Sequence, residues 1–187
     1  FTVPIKYLDK DMFSEGLGFD GSSIKGFQEI HNSDMNVVPD STTAYLDPFA
    51  SEKTLALHCN IKDPVSKENY SRDPRNIAIK AEAYLKSSNI ADNCYFGPEA
   101  EFFVFDNVKV NIEQNHIGHH VDSREGPYNT GTNYPEGNMG HRPKIKGGYF
   151  PEAPVDHLAD LRAEMVTAAD AMGVGMEKHH HEVAPSQ

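Results

Sequence analysis

Apolar residues recur along this chain with two different periods, and the change from one to the other divides it. From residue 1 to about residue 70 they come in short runs separated by Asp-Pro and Pro-Asp turns, which predicts strands over 1–5, 34–38, 44–46 and 54–61. These would make a small, mainly β unit. Between the first two strands lies Phe19-Asp20-Gly21-Ser22-Ser23-Ile24-Lys25-Gly26-Phe27, a loop whose glycines and serines permit tight turning around one acid and two hydroxyls. The period then lengthens. Asp73 as N-cap and Pro74 at the first helical position open a helix with Ile77, Ala81, Tyr84, Leu85 and Ser88 on one stripe, ending near Asn89.

An aromatic strand is expected next, over 95–106. Glu99 and Glu101 share a side with Phe103 and Phe105, while Ala100, Phe102 and Val104 face the other way, so burial on both faces is expected. Residues 109–148 are polar, rich in Gly, Asn and His, and without sustained periodicity; a segment of that length inside a domain points to a substrate-covering role. Its histidines His116, His119 and His120 read as solvent-facing, and no ligand role is assigned to 111–139. Lys146-Gly147-Gly148-Tyr149-Phe150-Pro151 follows, with paired glycines for close approach of a ligand and an aromatic wall beside them. Asp156 then caps a second helix with an apolar stripe of Leu158, Leu161, Met165, Ala168 and Met172, stopped by Gly173. Residues 174–183 read as a strand that delivers His179-His180-His181-Glu182. The whole predicts an α+β fold with domains 1–70 and 71–187.

Composition narrows the function. The chain has 187 residues, 38% hydrophobic and 10% aromatic, which is ordinary for a globular protein. A formal charge of −11 argues against a nucleic-acid partner, because a surface that binds a phosphate backbone needs excess Lys and Arg. No apolar stretch approaches a membrane span, and no basic segment precedes an apolar region and a cleavage site, so no membrane partner and a cytoplasmic location are expected. Cys59 and Cys94 lack the spacings of zinc ligands or a disulfide framework and read as buried free thiols. The chain opens on Phe1 rather than Met and stops at Gln187 just after a ligand-rich motif, from which a longer protein is expected.

The acidic residues carry the chemistry. Carboxylates two apart on a strand point to one face with Cα atoms roughly 6.5–7 Å apart, a spacing suited to two neighbouring divalent cations. Two ionised glutamates on an apolar strand are costly unless cations or donors satisfy them. Alone, Glu99 and Glu101 also fit exposure at a strand end, and the histidine triplet also fits zinc binding.

Taken together, five motifs resemble those of glutamine synthetases, specifically the type I enzymes of bacteria and archaea. They are Phe19-Asp20-Gly21-Ser22-Ser23, Ser33-Asp34-Met35, Gly97-Pro98-Glu99-Ala100-Glu101-Phe102-Phe103, Lys146-Gly147-Gly148-Tyr149-Phe150-Pro151 and His179-His180-His181-Glu182-Val183-Ala184. Their order and spacing follow the family across the chain. The resemblance implies part of a β-grasp-like N-terminal domain, followed by the first part of a catalytic β-barrel domain with flanking helices. It implies ATP-dependent ligation of ammonia to glutamate through a γ-glutamyl phosphate, with two or more Mg2+ or Mn2+ ions per site. On the family's pattern Glu101 and Glu182 are ligands of the cation that anchors glutamate, and Glu99 of the cation bound to ATP. The remaining ligands would lie beyond Gln187. Glu177 matches a position that contacts nucleotide and His180 one near the reacting groups. Asp20 is the expected base toward ammonium, in a pocket completed by Ser23, Tyr149 and Glu182. The resemblance also implies a homo-oligomer, a dodecamer of two hexameric rings, with the Asp20 loop reaching the neighbouring subunit's site.

Parity poses a problem for the last motif. On an unbroken strand His180 and Glu182 share a face and Glu177 points away, so the segment must bulge or end within the histidine run if all three serve one site. Two other functional classes stand beside ammonia ligation: a related ligase for a larger amine, and a non-catalytic relative. A polyamine needs room where the Asp20–Ser23 loop offers a tight anionic pocket, and a non-catalytic relative would be expected to lose the metal carboxylates, all three of which are present.

Overall fold

The structure, a computed structural model, describes residues 1–126, 133–135 and 142–187. It comprises two units, Phe1–Gly97 and Pro98–Gln187.

The first unit is built on a three-stranded antiparallel sheet. Helix α1 (Lys10–Ser14) starts where the Asp9 carboxylate accepts the Met12 N–H at 3.0 Å, and it turns Met12 inward. Strand β1 (Leu17–Asp20) pairs with β2 (Asp34–Pro39), Leu17 opposite Val37 and Asp20 opposite Asp34. Strands β3 (Tyr45–Leu46) and β4 (Leu55–Ala56) form a separate two-stranded ribbon, and β5 (Cys59–Lys62) completes the sheet on the far edge of β2, giving the order β1-β2-β5. The apolar core here is small: Met12, Met35 and Val38.

Helix α2 (Pro74–Ser87) follows the predicted signals closely. Asp73 accepts the Arg75 N–H at 3.0 Å as N-cap, and its other oxygen accepts the Ile61 N–H of β5 at 3.0 Å, so one buried carboxylate ties the helix start to the sheet. Arg75 reinforces the join through Asp40 at 2.7 Å and Asn60 at 3.1 Å. Asn89, at φ +55°, ends the run. The predicted stripe does not become a core face, since Ile77, Ala81 and Tyr84 are exposed and only Leu85 and Ser88 are half-buried.

Other expectations need correction. Residues 1–5 are not a strand; Pro4 leads into a 3-10 turn at Ile5–Tyr7 closed by the Tyr7 N–H on the Pro4 carbonyl. The run 54–61 is split between β4 and β5, which belong to different sheets. Cys59 is half-buried, with burial pushing its thiol pKa up, but Cys94 is exposed; both are free.

The aromatic run 95–106, which crosses from the first unit into the second, is irregular rather than a strand. Its recorded backbone bonds are Val104 N–H to the Ser186 carbonyl and Asp106 N–H to the Asp122 carbonyl, and Tyr95, Phe96 and Phe103 lie exposed. Alternation alone does not make a strand without a neighbour to pair with. Pairing comes instead from the next residues, where β6 (Asn107–Glu113) and β7 (His116–Asp122) form a hairpin with Glu113 opposite His116. Most of this hairpin lies inside the segment 109–148 expected to be aperiodic, and Val108, Val110 and Ile112 alternate along its first strand. His116, His119 and His120 are exposed, as expected. The parts of the predicted covering segment at 127–132 and 136–141 lie outside the described residues. Helix α3 (Ala159–Ala171) has Leu158 rather than Asp156 at its N-cap position and Met172 at its C-cap, with Gly173 at φ +82° where the chain must enter the left-handed region. Residues 174–183 form no strand. Among the described residues, no helix is long and apolar enough to cross a membrane.

Candidate active site

The Asp20 loop is organised by its own side chains. Asp20 ends β1, and its carboxylate accepts the Ser22 N–H at 2.9 Å, the Ser22 hydroxyl at 2.6 Å and the Ser23 hydroxyl at 3.0 Å. Those bonds, led by the Ser22 hydroxyl, hold its pKa below the ordinary carboxylate range. It is exposed and ionised. The loop sits directly on the core: Gly21 donates its N–H to the Ser33 carbonyl at 2.7 Å, and a Cβ at this position would come 2.7 Å from the Met35 sulfur. A side chain there would force Met35 or the loop to shift.

In the second unit the chain closes a tight turn at Glu182–Gln187. Glu182 donates its N–H to the Gln187 carbonyl at 3.0 Å, and the Gln187 side-chain amide donates to Glu101 at 3.1 Å. Gln187 thus bonds both Glu101 and Glu182, which lie 81 positions apart in sequence (182 − 101). One Glu182 oxygen accepts the Val183 N–H at 3.0 Å, and the other lies 3.8 Å from His180 Nε2. The Lys146–Pro151 motif joins through Gly148 N–H to the Val183 carbonyl at 3.1 Å. His180 packs edge-on to Tyr149 with ring centroids 5.6 Å apart, and against Phe150 at 5.0 Å. Lys146, Phe150 and Ser186 all hold positive φ, between +56° and +69°, and such backbone strain in non-glycine residues concentrates where a site over-determines the chain.

Beneath this turn lies a buried polar network that sequence reasoning missed. The Glu125 carboxylate, 2% exposed, accepts the His157 N–H at 2.8 Å on one oxygen, and the Ser186 N–H at 2.9 Å and His181 Nε2 at 2.8 Å on the other. His181 is equally buried, and its Nδ1 meets the Glu182 carbonyl at 2.6 Å; a carbonyl can only accept, so that nitrogen carries a proton. Ser123 hydrogen-bonds Ser186 and takes the Glu125 and Gly126 N–H groups. Asp156 pairs with Arg162 at 2.5 Å and accepts the Leu158 N–H at 2.9 Å. Burial raises the Asp156 pKa, but the bonds from Arg162 and Leu158 and the Arg162 charge outweigh it, and the net shift is downward.

Glu125, Asp156 and His181 offer ligand atoms within 4.8 Å of one another, the one such group of three among the described residues. The group is geometrically possible as a metal site, yet each member is engaged by donors or acceptors of the chain itself, and an arginine already neutralises Asp156. It holds the fold together. Glu99, Glu101 and Glu182 are outside that group. Their chemistry nevertheless fits a hard divalent cation: all offer carboxylate oxygens, none pairs with Lys or Arg among the described residues, and Glu99 is exposed with no polar contact there. Glu177 is likewise exposed and unpartnered among the described residues. Because 174–183 is irregular, the alternation rule that set Glu177 against Glu182 does not apply to it.

The sequence matches the family description of the glutamine synthetase beta-Grasp domain over residues 1–64 and of the glutamine synthetase catalytic domain over residues 71–187. A glutamine synthetase of Rhizobium meliloti (strain 1021) is 54% identical over 186 residues, covering 100% of this chain and 40% of that protein. One of Azospirillum brasilense is 53% identical over 183 residues, covering 98% and 39%. A cryo-EM structure of Plasmodium falciparum glutamine synthetase superposes with a TM-score of 0.83 at 25% identity, covering 98% of this chain and 36% of that one. The chain therefore spans about 40% of the length of the curated relatives it matches.

Proposed function

The chain belongs to the glutamine synthetase family, and from that premise we propose that it serves the ATP-dependent ligation of ammonia to the side-chain carboxyl of L-glutamate, through γ-glutamyl phosphate. The observation that carries the proposal is Gln187, whose side-chain amide donates to the Glu101 carboxylate and whose carbonyl accepts the Glu182 backbone N–H, so that two motif residues from opposite ends of the second unit meet at one residue.

Ammonia and a carboxylate do not condense usefully in water; phosphorylation gives the carboxyl a leaving group. What the protein must then do is hold reactants in line and balance developing negative charge. Glu101 and Glu182 are proposed to hold the cation nearest glutamate and Glu99 the cation on ATP, with Mg2+ or Mn2+ as the ions. Bound, these ions neutralise charge on the phosphoryl group in transfer. Glu177 is proposed to contact nucleotide, and His180, fixed by the Tyr149 and Phe150 rings, to sit beside the reacting groups.

The second step needs a neutral amine, whereas ammonia near neutrality is mostly ammonium. Asp20 is proposed as the group that holds the ammonium ion and takes its proton, with Ser23, Tyr149 and Glu182 completing the pocket. The hydrogen bonds that keep Asp20 anionic favour cation capture. They make it a weak base, so proton removal must accompany attack on the acyl phosphate rather than precede it. Asp20 and the other groups are proposed to meet across a subunit boundary in a homo-oligomer, a dodecamer of two hexameric rings, in the cytoplasm. The domain division at 70/71 is supported by the gap between the two matched stretches.

The test is glutamine formation by the full-length protein from glutamate, ATP and ammonium with Mg2+ or Mn2+, run beside a polyamine. Turnover with ammonium alone is expected. Turnover only with the polyamine, or none with either, rejects the proposal.

A further inference from the structure

We infer that Glu125 and His181 form a buried positioning dyad that sets the aim of Glu182, and through Gln187 that of Glu101. The inference rests on the proposed role of Glu182 and Glu101 as metal ligands. Three observations carry it.

First, the dyad ends on the backbone of the ligand residue itself. Glu125 holds His181 Nε2 at 2.8 Å, and His181 Nδ1 lies 2.6 Å from the Glu182 carbonyl, so one rigid ring spans from a buried carboxylate to the Glu182 peptide. A carboxylate bonded to one nitrogen of a histidine fixes the ring's orientation, and here the other nitrogen passes that constraint to the next peptide. Second, the same Glu125 oxygen accepts the Ser186 N–H at 2.9 Å, and Ser186 sits at φ +69°. That bond holds the far end of the turn in an unfavourable backbone conformation, and the turn is what presents the Gln187 carbonyl to Glu182 N–H and the Gln187 amide to Glu101. Third, Glu125 and His181 are each 2% exposed, beyond the reach of a solvent-borne substrate. They act through other residues.

Glu125 also takes the His157 N–H and so helps fix the approach to α3, which is why loss of folding alone cannot be the readout. The full-length assembled protein is used, with Mn2+ affinity measured by calorimetry in variants whose circular dichroism and sedimentation match wild type. Glu125→Gln places an amide N–H against the donors that the carboxylate now accepts; it is expected to weaken Mn2+ binding about 10–100-fold, the range for groups that orient a ligand. His181→Gln keeps a donor near Glu125 but loses the one on the Glu182 carbonyl, and a similar loss is expected. A double-mutant cycle supplies the decisive comparison: if Glu125 acts through Glu182, the loss in the Glu125→Gln/Glu182→Gln variant is smaller than the sum of the two single losses. Wild-type Mn2+ affinity in folded Glu125→Gln, or additive losses in the double variant, overturns the inference.

Should neither variant fold, a cryo-EM map of the wild-type assembly with Mn2+ decides. Glu182 on the ion, with His181 bridging its carbonyl to Glu125, supports the dyad; Glu182 off the ion, or His181 turned away, overturns it. A wild-type protein that neither binds Mn2+ nor makes glutamine defeats the functional proposal and this inference with it, whereas a competent wild type with an indifferent Glu125→Gln defeats the inference alone.

Discussion

Asp20 and Glu125 each accept three hydrogen bonds, and they differ in where the donors come from. Asp20 takes its bonds from Ser22 and Ser23, two and three positions away, in a loop open to solvent. Glu125 takes its bonds from His157, His181 and Ser186, between 32 and 61 positions away, and is buried. The first arrangement shapes a single loop. The second gathers three segments around one charge, so the fold depends on it. Local networks of this kind display a reactive group, and long-range ones hold displayed groups in register.

The largest effect that would separate the two is on stability. Glu125→Ala leaves three buried donors without an acceptor, and at about 1–3 kcal/mol for each unsatisfied group the expected cost is about 3 kcal/mol or more. Chemical denaturation of the full-length protein reads this directly; a change below about 1 kcal/mol, the range of an exposed pair, would erase the contrast. Gly21→Ala should be intermediate. Its Cβ would meet the buried Met35 sulfur at 2.7 Å, and overpacking of this kind costs about 1–3 kcal/mol. Here the local loop does touch the core, so an unchanged denaturation midpoint would mean that the loop shifts freely over Met35.

The same distinction decides what could be read from the residues in order. Asp73-Pro74, Gly173 and the Asp20–Ser23 loop were legible because each signal and its partner lie within a few positions. Family motifs pointed to Glu99, Glu101 and Glu182. Glu125 carried no local mark, since nothing near it signals a bond to residue 181 or 186, and His181 looked like one more member of a triplet. The 95–106 run failed for a related reason: alternation reports which face a side chain takes, and says nothing of whether a second strand is there to pair. The β6–β7 hairpin shows the converse, a real alternation masked by the polar residues around it.

A smaller effect concerns pH. The Asp156 pKa is depressed, so its contribution to stability is fully present above the ordinary carboxylate value, about 4, and is lost as pH falls through the lower folded value. Arg162→Met removes the main lowering causes and leaves burial, which acts in the opposite direction. The variant is expected to begin losing stability at higher pH than wild type. Urea midpoints between about pH 3 and 7 test this, and superimposable pH profiles would show that Arg162 does not hold the Asp156 charge.

The smallest structural effect, and the most informative pairing of results, belongs to Asp20→Asn. The amide keeps an acceptor for the Ser22 N–H, the loop is exposed, and no distant segment leans on the side chain. The denaturation midpoint and Mn2+ affinity should therefore stay at wild-type values. Charge is what the substitution removes, and with it the attraction for ammonium and the proton acceptor, so kcat should fall about 10²–10⁴-fold, the contribution typical of a positioned base. The two carboxylates would then have opposite profiles: Glu125 governing stability and metal affinity, Asp20 governing turnover alone. Loss of midpoint in Asp20→Asn would make the loop part of the scaffold, and retained turnover would leave deprotonation of ammonium to some other group.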